Sequence, residues 1–461
     1  MGAGVSNWRL AQAVSRLGQL GVVSGTALGE ILSRRLQDGD PDGHMRRALS
    51  ALPLRNMARR VLNAHFRPAG RQHGEPYRTN EMLRDSGNNR AVEELCIAGN
   101  FAEVYLAREG HSNPVGINYL EKIQLPHLPS VYGAMLAGVG VIVMGAGIPL
   151  AIPAVINAFA ANSPATYPLS VAGGENVLME FDPRVFAEDE SPLPPLPKPY
   201  FVPIVASSVL ATMLDRKCGD AIAGFVVEGP TAGGHNAPPR GALKLTSEGE
   251  PIYGPRDVVD LTAMRELGRP FWLAGGYGSS DRLADALAAG AAGVQVGTAF
   301  ALCIESGLIP EVRHALISIA LSGHAKVRTD PTVSPTGFPF KVARLEGTLS
   351  EKSVYEARRR VCDLGFLRGA YRRNDGQIGF RCAAESESSF IAKGGPTDDT
   401  HGRACLCNAL LANIGLGQNL RDGTCEPCLI TLGDDMSGIG RFCTVEKPDY
   451  TAEHVVDVLL G

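Results

Sequence analysis

The run Gly224-Phe225-Val226-Val227-Glu228-Gly229, followed by Thr231-Ala232-Gly233-Gly234-His235, is an apolar strand that ends in glycine. An unbroken apolar run is typical of a parallel strand that is buried on both faces. Glycine after such a strand lets the backbone turn its N–H groups toward a ligand, because no Cβ stands in the way. The stretch therefore predicts a βα unit with a ligand-side loop at the carboxyl end of its strand.

Two more blocks of this kind follow, Phe271-Trp272-Leu273-Ala274-Gly275-Gly276-Tyr277-Gly278 and Ala292-Gly293-Val294-Gln295-Val296-Gly297-Thr298. Short apolar strands that alternate with helical segments predict a parallel α/β sheet, and this many units favours a closed TIM (β/α)8 barrel over an open sheet. Residues 2–6 resemble a loop after a strand, so we expect the barrel to lack a regular first strand. The other strand candidates are residues 21–26, 115–118, 139–144, 169–171 and 201–206.

The pattern changes after about residue 321. Prolines and glycines at 331–339 break the regularity, a charged helix is predicted at about 353–362, and seven of the ten cysteines follow residue 321. We therefore expect two parts, a barrel at 1–321 and a cysteine-rich C-terminal extension at 322–461. A proline-rich linker at 191–199 is interpreted as a stiff connector between βα units, with a recognition peptide for a partner as the alternative.

Composition excludes several classes of function. The net charge of −4 gives no basic face for nucleic acid or anionic lipid. Residues 128–174 carry no charged side chain, which raises the question of a membrane span, but glycines and prolines divide the stretch, and a buried strand near 139–144 between two helices is favoured. Ten cysteines without a signal-peptide pattern at the N-terminus predict free thiols and a cytoplasmic protein.

The glycines of the last two blocks are candidates for phosphate binding. Gly275, Gly276, Gly297 and Thr298 would place backbone N–H groups and a hydroxyl near the ends of the last two strands, where barrels often bind phosphate beside a helix N-terminus. The alternative is that these glycines only form tight turns.

His235 is the candidate catalytic residue, because a histidine on a glycine-rich loop can reach substrate and titrates near neutrality. Glu228 is either its partner or a loop cap. The spacing Cys405-x-Cys407 and Cys425-x-x-Cys428 could hold zinc or an iron–sulfur cluster, but the first pair lies in an apolar, helical stretch, and we predict no metal. Further sulfur or nitrogen ligands for such a site would be Cys362, Cys382, Cys443 and His401.

The three blocks in this order resemble those of the nitronate monooxygenases, formerly called 2-nitropropane dioxygenases, and of the related FMN-dependent enoyl-acyl-carrier-protein reductases. The resemblance covers about residues 1–310. It implies a barrel that holds FMN at the carboxyl ends of its strands, with the phosphate at Gly275, Gly276, Gly297 and Thr298. It also implies a set of positions near the ribityl chain or the flavin ring, namely Gly25, Thr26, Asn118, Gly234 and Gln295.

The function implied by the resemblance is oxidation of nitronates or nitroalkanes by O2 to a carbonyl compound and nitrite, with His235 facing the substrate as a base or a hydrogen-bond donor. One alternative is an FMN-dependent enoyl-thioester reductase or dehydrogenase that uses NAD(P)H. Another is a non-catalytic flavin- or metal-binding partner in a complex. The expected partners are a small-molecule substrate and O2, with neither nucleic acid nor membrane, and a homo-oligomer is allowed. The loop after His235 is this chain's own, so the substrate is not carried over from the family.

Overall fold

A computed structural model describes residues 2–86, 89–187, 194–360 and 362–461 of the chain. Its centre is a seven-stranded sheet in which all neighbouring strands are parallel. With all strands numbered in chain order, its members from one edge to the other are β1 (Gly21–Ser24), β2 (Val115–Leu120), β3 (Val141–Gly145), β7 (Tyr200–Val205), β8 (Phe225–Glu228), β9 (Phe271–Ala274) and β10 (Gly293–Gln295).

Successive residues of these strands alternate between two apolar clusters. Phe201 and Phe225 belong to the large core between the sheet and its helices, whereas their neighbours Val202 and Val226 form a small cluster on the other face of the sheet. Burial on both faces explains why these strands read as unbroken apolar runs.

The sheet does not close by strand pairing in the part of the chain that the structure describes, since β1 and β10 are not hydrogen-bonded to each other. The segment before the first helix lies along β1 instead: the Ser24 N–H donates to the Ser6 carbonyl at 2.8 Å, and the Ser6 hydroxyl donates to the Val22 carbonyl at 2.6 Å. An apolar cavity of about 650 Å³ is lined by residues from both edges, such as Val22 and Val294. The TIM-barrel class is thus confirmed, with seven strands and without a regular first strand.

Helices cover the outer face of the sheet and link its strands. Several helices are capped by a side chain that accepts a hydrogen bond from an N–H of the first turn. The Leu10 N–H donates to the Asn7 side-chain oxygen, and the Leu210 N–H donates to the Ser207 hydroxyl, both at 3.1 Å. The helices are α1 (Trp8–Arg16), α2 (Leu28–Gln37), α3 (His44–Ala51), α4 (Arg55–His65), α5 (Arg90–Arg108), α6 (His127–Leu136), α7 (Ile152–Ala160), α8 (Arg184–Ala187), α9 (Ser208–Cys218), α10 (Leu261–Glu266), α11 (Ser280–Ala288), α12 (Thr298–Ala301), α13 (Pro310–Leu321), α14 (Lys352–Ala357), α15 (Glu387–Ala392), α16 (Leu406–Ala412) and α17 (Ala452–Leu460).

The charge-free stretch forms α6, β3 and α7, as the glycines and prolines that divide it indicate. Within the described ranges, no helix is both long and apolar enough to cross a bilayer. Residues 191–193 of the proline-rich linker lie outside the described residues.

One predicted barrel strand is wrong. The candidate at 169–171 falls at the junction of β4 (Ala165–Leu169) and β5 (Val171–Ala172), and neither strand joins the central sheet. β4 pairs antiparallel with β6 (Val177–Phe181), while β5 pairs with β13 (Gly369–Arg372) of the C-terminal region. The apolar pattern is real, because Tyr167, Leu169 and Phe181 are buried in the same large cluster as Phe201 and Phe225, although β4 and β6 pair outside the central sheet.

The C-terminal region packs closely against the barrel. It contains the antiparallel pair β11 (Val327–Asp330) and β12 (Phe340–Ala343), and β13 also pairs antiparallel with β14 (Ile378–Arg381). One hydrophobic cluster contains Leu10 and Leu316 together with Ile430 and Val455, so the two parts share a core. The boundary at residue 321 stays a prediction.

Candidate active site

A cavity lies at the carboxyl ends of the central strands. The last residues of five strands line it, namely Leu120, Gly145, Glu228, Ala274 and Gln295. Because the carboxyl ends of parallel strands open on one face, side chains that are far apart in sequence meet there.

Eight of the ten predicted site residues line this cavity: Asn118, Gly234, His235, Gly275, Gly276, Gln295, Gly297 and Thr298. The structure does not bring Gly25 and Thr26 into it; they line a smaller neighbouring cavity. A Cβ on Gly25 would lie 2.4 Å from the Tyr119 ring, so close packing accounts for this glycine. The predicted roles of all ten residues stay predictions.

Gly276 and Gly297 differ from the other glycines of the site, because no packing within the protein requires them. A Cβ on Gly275 would lie 2.7 Å from the Thr231 hydroxyl, whereas one on Gly276 would meet nothing closer than 3.9 Å, and one on Gly297 would meet nothing within 4 Å. Both positions face the cavity. A side chain at either position would therefore extend into the cavity without meeting another part of the protein.

The same turns offer free backbone donors. Gly275 and Gly276 have φ values of +96° and +81°. Within the described part of the chain, the amides of Gly276 and Gly278 donate to no backbone or side-chain acceptor. The next helix, α11, begins directly after this turn, with Ser279 as its N-cap. Free N–H groups at a helix N-terminus form a binding site for an anion such as phosphate.

The C-terminal region completes the site with a loop at residues 431–435. The Gly234 N–H donates to the Thr431 hydroxyl at 2.8 Å, and the Gly433 N–H donates to the Thr298 hydroxyl at 3.0 Å. Thr431, Gly433 and Asp435 all line the cavity. The sequence analysis missed this loop, although its run of small polar residues around a glycine is a weak signal for a ligand-side turn.

His235 is held by a second C-terminal loop. Its Nε2 lies 2.7 Å from the hydroxyl of the fully buried Ser334, and its ring packs edge-on against Phe340 with 4.7 Å between ring centroids. Burial lowers the pKa of His235 well below its usual value, and the cation of Lys122 lowers it further. The imidazole is therefore neutral at neutral pH and has a fixed ring orientation.

Lys122 is a buried cation that the sequence analysis missed. Its Nζ is buried with no hydrogen-bond partner among the described residues, and it lies 3.9 Å from the centre of the Phe338 ring. Burial lowers the pKa of Lys122 to about 7, against the opposing effect of Glu228 and Glu121. Burial also raises the pKa of Glu228, and the neighbouring Lys122 works against that rise. Lys122 does not line the cavity itself, but its charge acts on two residues that do, Glu228 and His235.

Two amide side chains, on β2 and β10, also line the cavity. Asn118 is buried and donates its Nδ2 to the Val143 carbonyl at 3.4 Å, while Gln295 makes no side-chain hydrogen bond to any described residue. Both can therefore offer polar atoms to a ligand with donors and acceptors of its own.

A family model described as nitronate monooxygenase matches residues 200–328. No curated protein matches the chain. Solved structures with a similar fold include FabK from Thermotoga maritima, at 16% identity and a TM-score of 0.45, covering 99% of this chain and 89% of that one. Nitroalkane oxidase from Streptomyces ansochromogenes has 15% identity and a TM-score of 0.46, with 100% and 92% covered. The enoyl reductase domain of MlnA from Bacillus amyloliquefaciens has 12% identity and a TM-score of 0.44, with 99% and 90% covered.

With TM-scores this low, the similar structures say nothing of what this chain binds or acts on. The family match is more informative, because it spans β7 to β10, the three glycine-rich blocks and His235. Over residues 200–328 the chain is therefore similar to the nitronate monooxygenases, which confirms the resemblance predicted from the three blocks and the prediction of an oxidoreductase enzyme.

Proposed function

We propose that the protein is an FMN-dependent oxidoreductase that acts on nitronates. The observation that carries this proposal is the open space at Gly276 and Gly297, next to the free amides of the Gly275–Gly278 turn. A Cβ at either glycine would meet no protein atom closer than 3.9 Å, so the space beside these two glycines suits a bound ligand. The fit to a phosphate is good, because the turn provides N–H donors and the N-terminus of α11.

Other residues that line the cavity suit the rest of FMN. Asn118 and Gln295 could hold the polar edge of the flavin ring or the ribityl hydroxyls, and Thr431 and Gly433 fix the loops around them. Bound FMN would supply the electron transfer and the reaction with O2, which no side chain can perform.

His235 is better suited to orient a nitronate than to remove a proton from a nitroalkane. A base with a strongly lowered pKa accepts a proton poorly, and burial lowers the pKa of His235. If the Ser334 hydroxyl donates to Nε2, the proton of the neutral ring sits on Nδ1 and can be donated to a nitronate oxygen. The charge of Lys122 would favour the anionic nitronate over the neutral nitroalkane.

The direct test is oxygen uptake by the protein reconstituted with FMN. We expect consumption of O2 and release of nitrite when an alkyl nitronate is added without NAD(P)H. Bleaching of the flavin by NAD(P)H, with an enoyl thioester reduced and no nitrite formed, would instead identify the reductase. A colourless protein that does not take up added FMN would contradict both.

Lys122→Met is expected to raise the KM for a nitronate by about 5-fold, the loss of a through-space attraction of ~1 kcal/mol between the ammonium and the anionic substrate. In the wild type, kcat/KM should fall as the pH rises through about 7, because Lys122 then loses its charge. Ionisation of Glu228 over a nearby range adds a negative charge and acts in the same direction. The variant should lose the part of this pH dependence that comes from Lys122 and keep the part that comes from Glu228.

The matched control is Lys352→Met, because Lys352 is 87% exposed and pairs only with Glu356 on the surface. Steady-state kinetics over a pH series, with FMN content measured for each variant, checks the prediction. An unchanged KM and pH profile in Lys122→Met would show that Lys122 does not bind the substrate.

A further inference from the structure

The interior of the barrel contains a large apolar space, here called the barrel cavity. It is the cavity of about 650 Å³ that residues from both edges of the central sheet line. Val143, Val202 and Val226 of the small apolar cluster lie along it, together with the ring of Trp272. Protein interiors are close-packed and contain few voids larger than a water molecule. A space of this size therefore indicates a place for a ligand or for another polypeptide segment.

The lining of the barrel cavity suits an uncharged aliphatic group. Among the described residues that line it, none carries a charge, and the polar side chains are those of Ser6, Gln19, Tyr200, Trp272 and Gln295. Aliphatic side chains of α1, α11 and α17 border the side where β1 and β10 remain apart. A cavity with apolar walls stays dry and binds apolar molecules. Its volume also lies within the range of ligand pockets, about 300–1,000 Å³.

The barrel cavity adjoins the candidate active site. Five residues line both spaces, namely Ser6, Leu10, Gln295, Val296 and Phe300. This shared boundary includes the carboxyl end of β10, directly before the turn at Gly297. A ligand whose polar head lies in the active site therefore has an apolar space next to it that can take a hydrophobic chain.

The barrel cavity extends along the strands to their amino ends. Val141, the first residue of β3, lines the barrel cavity, whereas Gly145, the last residue of this strand, lines the active site. With a rise of ~3.3 Å per residue, these two positions are about 13 Å apart. Leu20, Tyr200 and Leu287 border the amino end of the cavity and are exposed there. The space is thus long enough for an extended chain of several methylene groups.

We propose that the barrel cavity binds the aliphatic chain of the substrate, whose reacting head lies in the candidate active site. The substrates would then be long-chain nitronates, an assignment that rests on the proposed function. The competing occupant is a polypeptide strand added between β1 and β10. Ser6 already bonds to Ser24 and Val22 on the β1 edge, so an added strand would have to displace it there. An aliphatic chain needs no hydrogen bonds and leaves these in place.

Tryptophan fluorescence tests the binding of a chain without turnover. Of the two tryptophans, Trp272 lines the barrel cavity, whereas Trp8 packs against His44 and Arg9. We expect bromoundecanol, whose terminal bromine quenches tryptophan emission, to quench the wild-type protein and to saturate at one molecule per chain. Bromopropanol at the same concentration should have little effect. Trp272→Phe should lose the saturable quenching, and the control Trp8→Phe should keep it.

A series of nitronates of increasing chain length tests the substrate class. We expect the KM to fall by up to about fourfold for each added methylene that is buried, until the cavity is full. Val226→Phe places a ring in the barrel cavity, so the KM values for the nitronates of nitrohexane and nitroethane should become nearly equal. Val209→Phe is the matched control, because Val209 is 73% exposed on α9, and it should keep the wild-type ratio of KM values.

The two measurements separate this proposal from the proposed function, and quenching of the wild type does not depend on whether Val226→Phe folds. Saturable quenching of Trp272 without nitronate turnover would support the aliphatic site and contradict the nitronate reaction. Turnover of short nitronates, with neither quenching nor an effect of chain length, would overturn the aliphatic site alone. A dimer in which Trp272 does not respond to bromoundecanol would also overturn it, because a second copy would then cover the cavity.

Discussion

His235→Ala is expected to lower nitronate turnover by about 10²- to 10³-fold, the range for removal of one active-site hydrogen-bond donor to a charged oxygen. The imidazole lines the cavity at the end of the β8 loop, and both Ser334 and Phe340 fix its orientation. Alanine removes the donor without touching the glycine turns, so the FMN content should not change. Stopped-flow measurement of the oxygen reaction with a saturating nitronate, together with flavin content, checks this expectation.

His324→Ala is the matched control, because His324 is exposed on a turn and its ring contacts the nearby Ser322 hydroxyl. Ser334→Ala gives a graded comparison: the ring stays but loses the hydroxyl that orients it, so we expect a smaller loss of turnover than in His235→Ala. A turnover number unaltered in His235→Ala would remove this residue from the mechanism.

Gly276→Val is expected to strip the protein of FMN, because the new side chain would occupy the space proposed for the phosphate. The backbone at Gly276 has φ +81°, so valine is also strained there. Gly268→Val is the matched control for that strain, since Gly268 has φ +69° and open space around its Cβ position. Flavin released from the purified variants, and titration with added FMN, measures the loss.

Gly297→Val tests the effect on FMN binding without the backbone strain that also affects Gly276→Val. Gly297 has φ −118°, which any residue can adopt, and nothing lies within 4 Å of its Cβ position. The protein should therefore fold normally while its affinity for FMN falls. Full flavin occupancy in both Gly276→Val and Gly297→Val would mean that these turns serve only the fold.

The part of the site that lies on the barrel could be predicted from the sequence because its signals are local. An apolar run that ends in glycine is complete within about ten residues, and β8, β9 and β10 lie where the three blocks predict them. The strand candidate at 169–171 shows the limit of this signal. Its apolar residues are buried as expected, but strand pairing is decided by contacts with residues far along the chain, here β6 and β13.

The rest of the site depends on long-range contacts that no local pattern reveals. Ser334 is 99 residues from His235, and the Thr431 hydroxyl accepts a hydrogen bond from the amide of Gly234, 197 residues away. Lys122 reads as an ordinary surface residue in the sequence, whereas in the structure its Nζ is buried beside the ring of Phe338, which is far along the chain.

The hydrogen bonds from Gly234 to Thr431 and from Gly433 to Thr298 have a practical consequence for protein engineering. A fragment trimmed at residue 321 would leave the His235 loop without its acceptor and the Thr298 hydroxyl without its donor, and it would lose Ser334 as well. Such a fragment should be a poor starting point for crystallisation or directed evolution. A design that grafts the glycine-rich loops onto another scaffold would also have to include the C-terminal segments that contain Ser334 and residues 431–435.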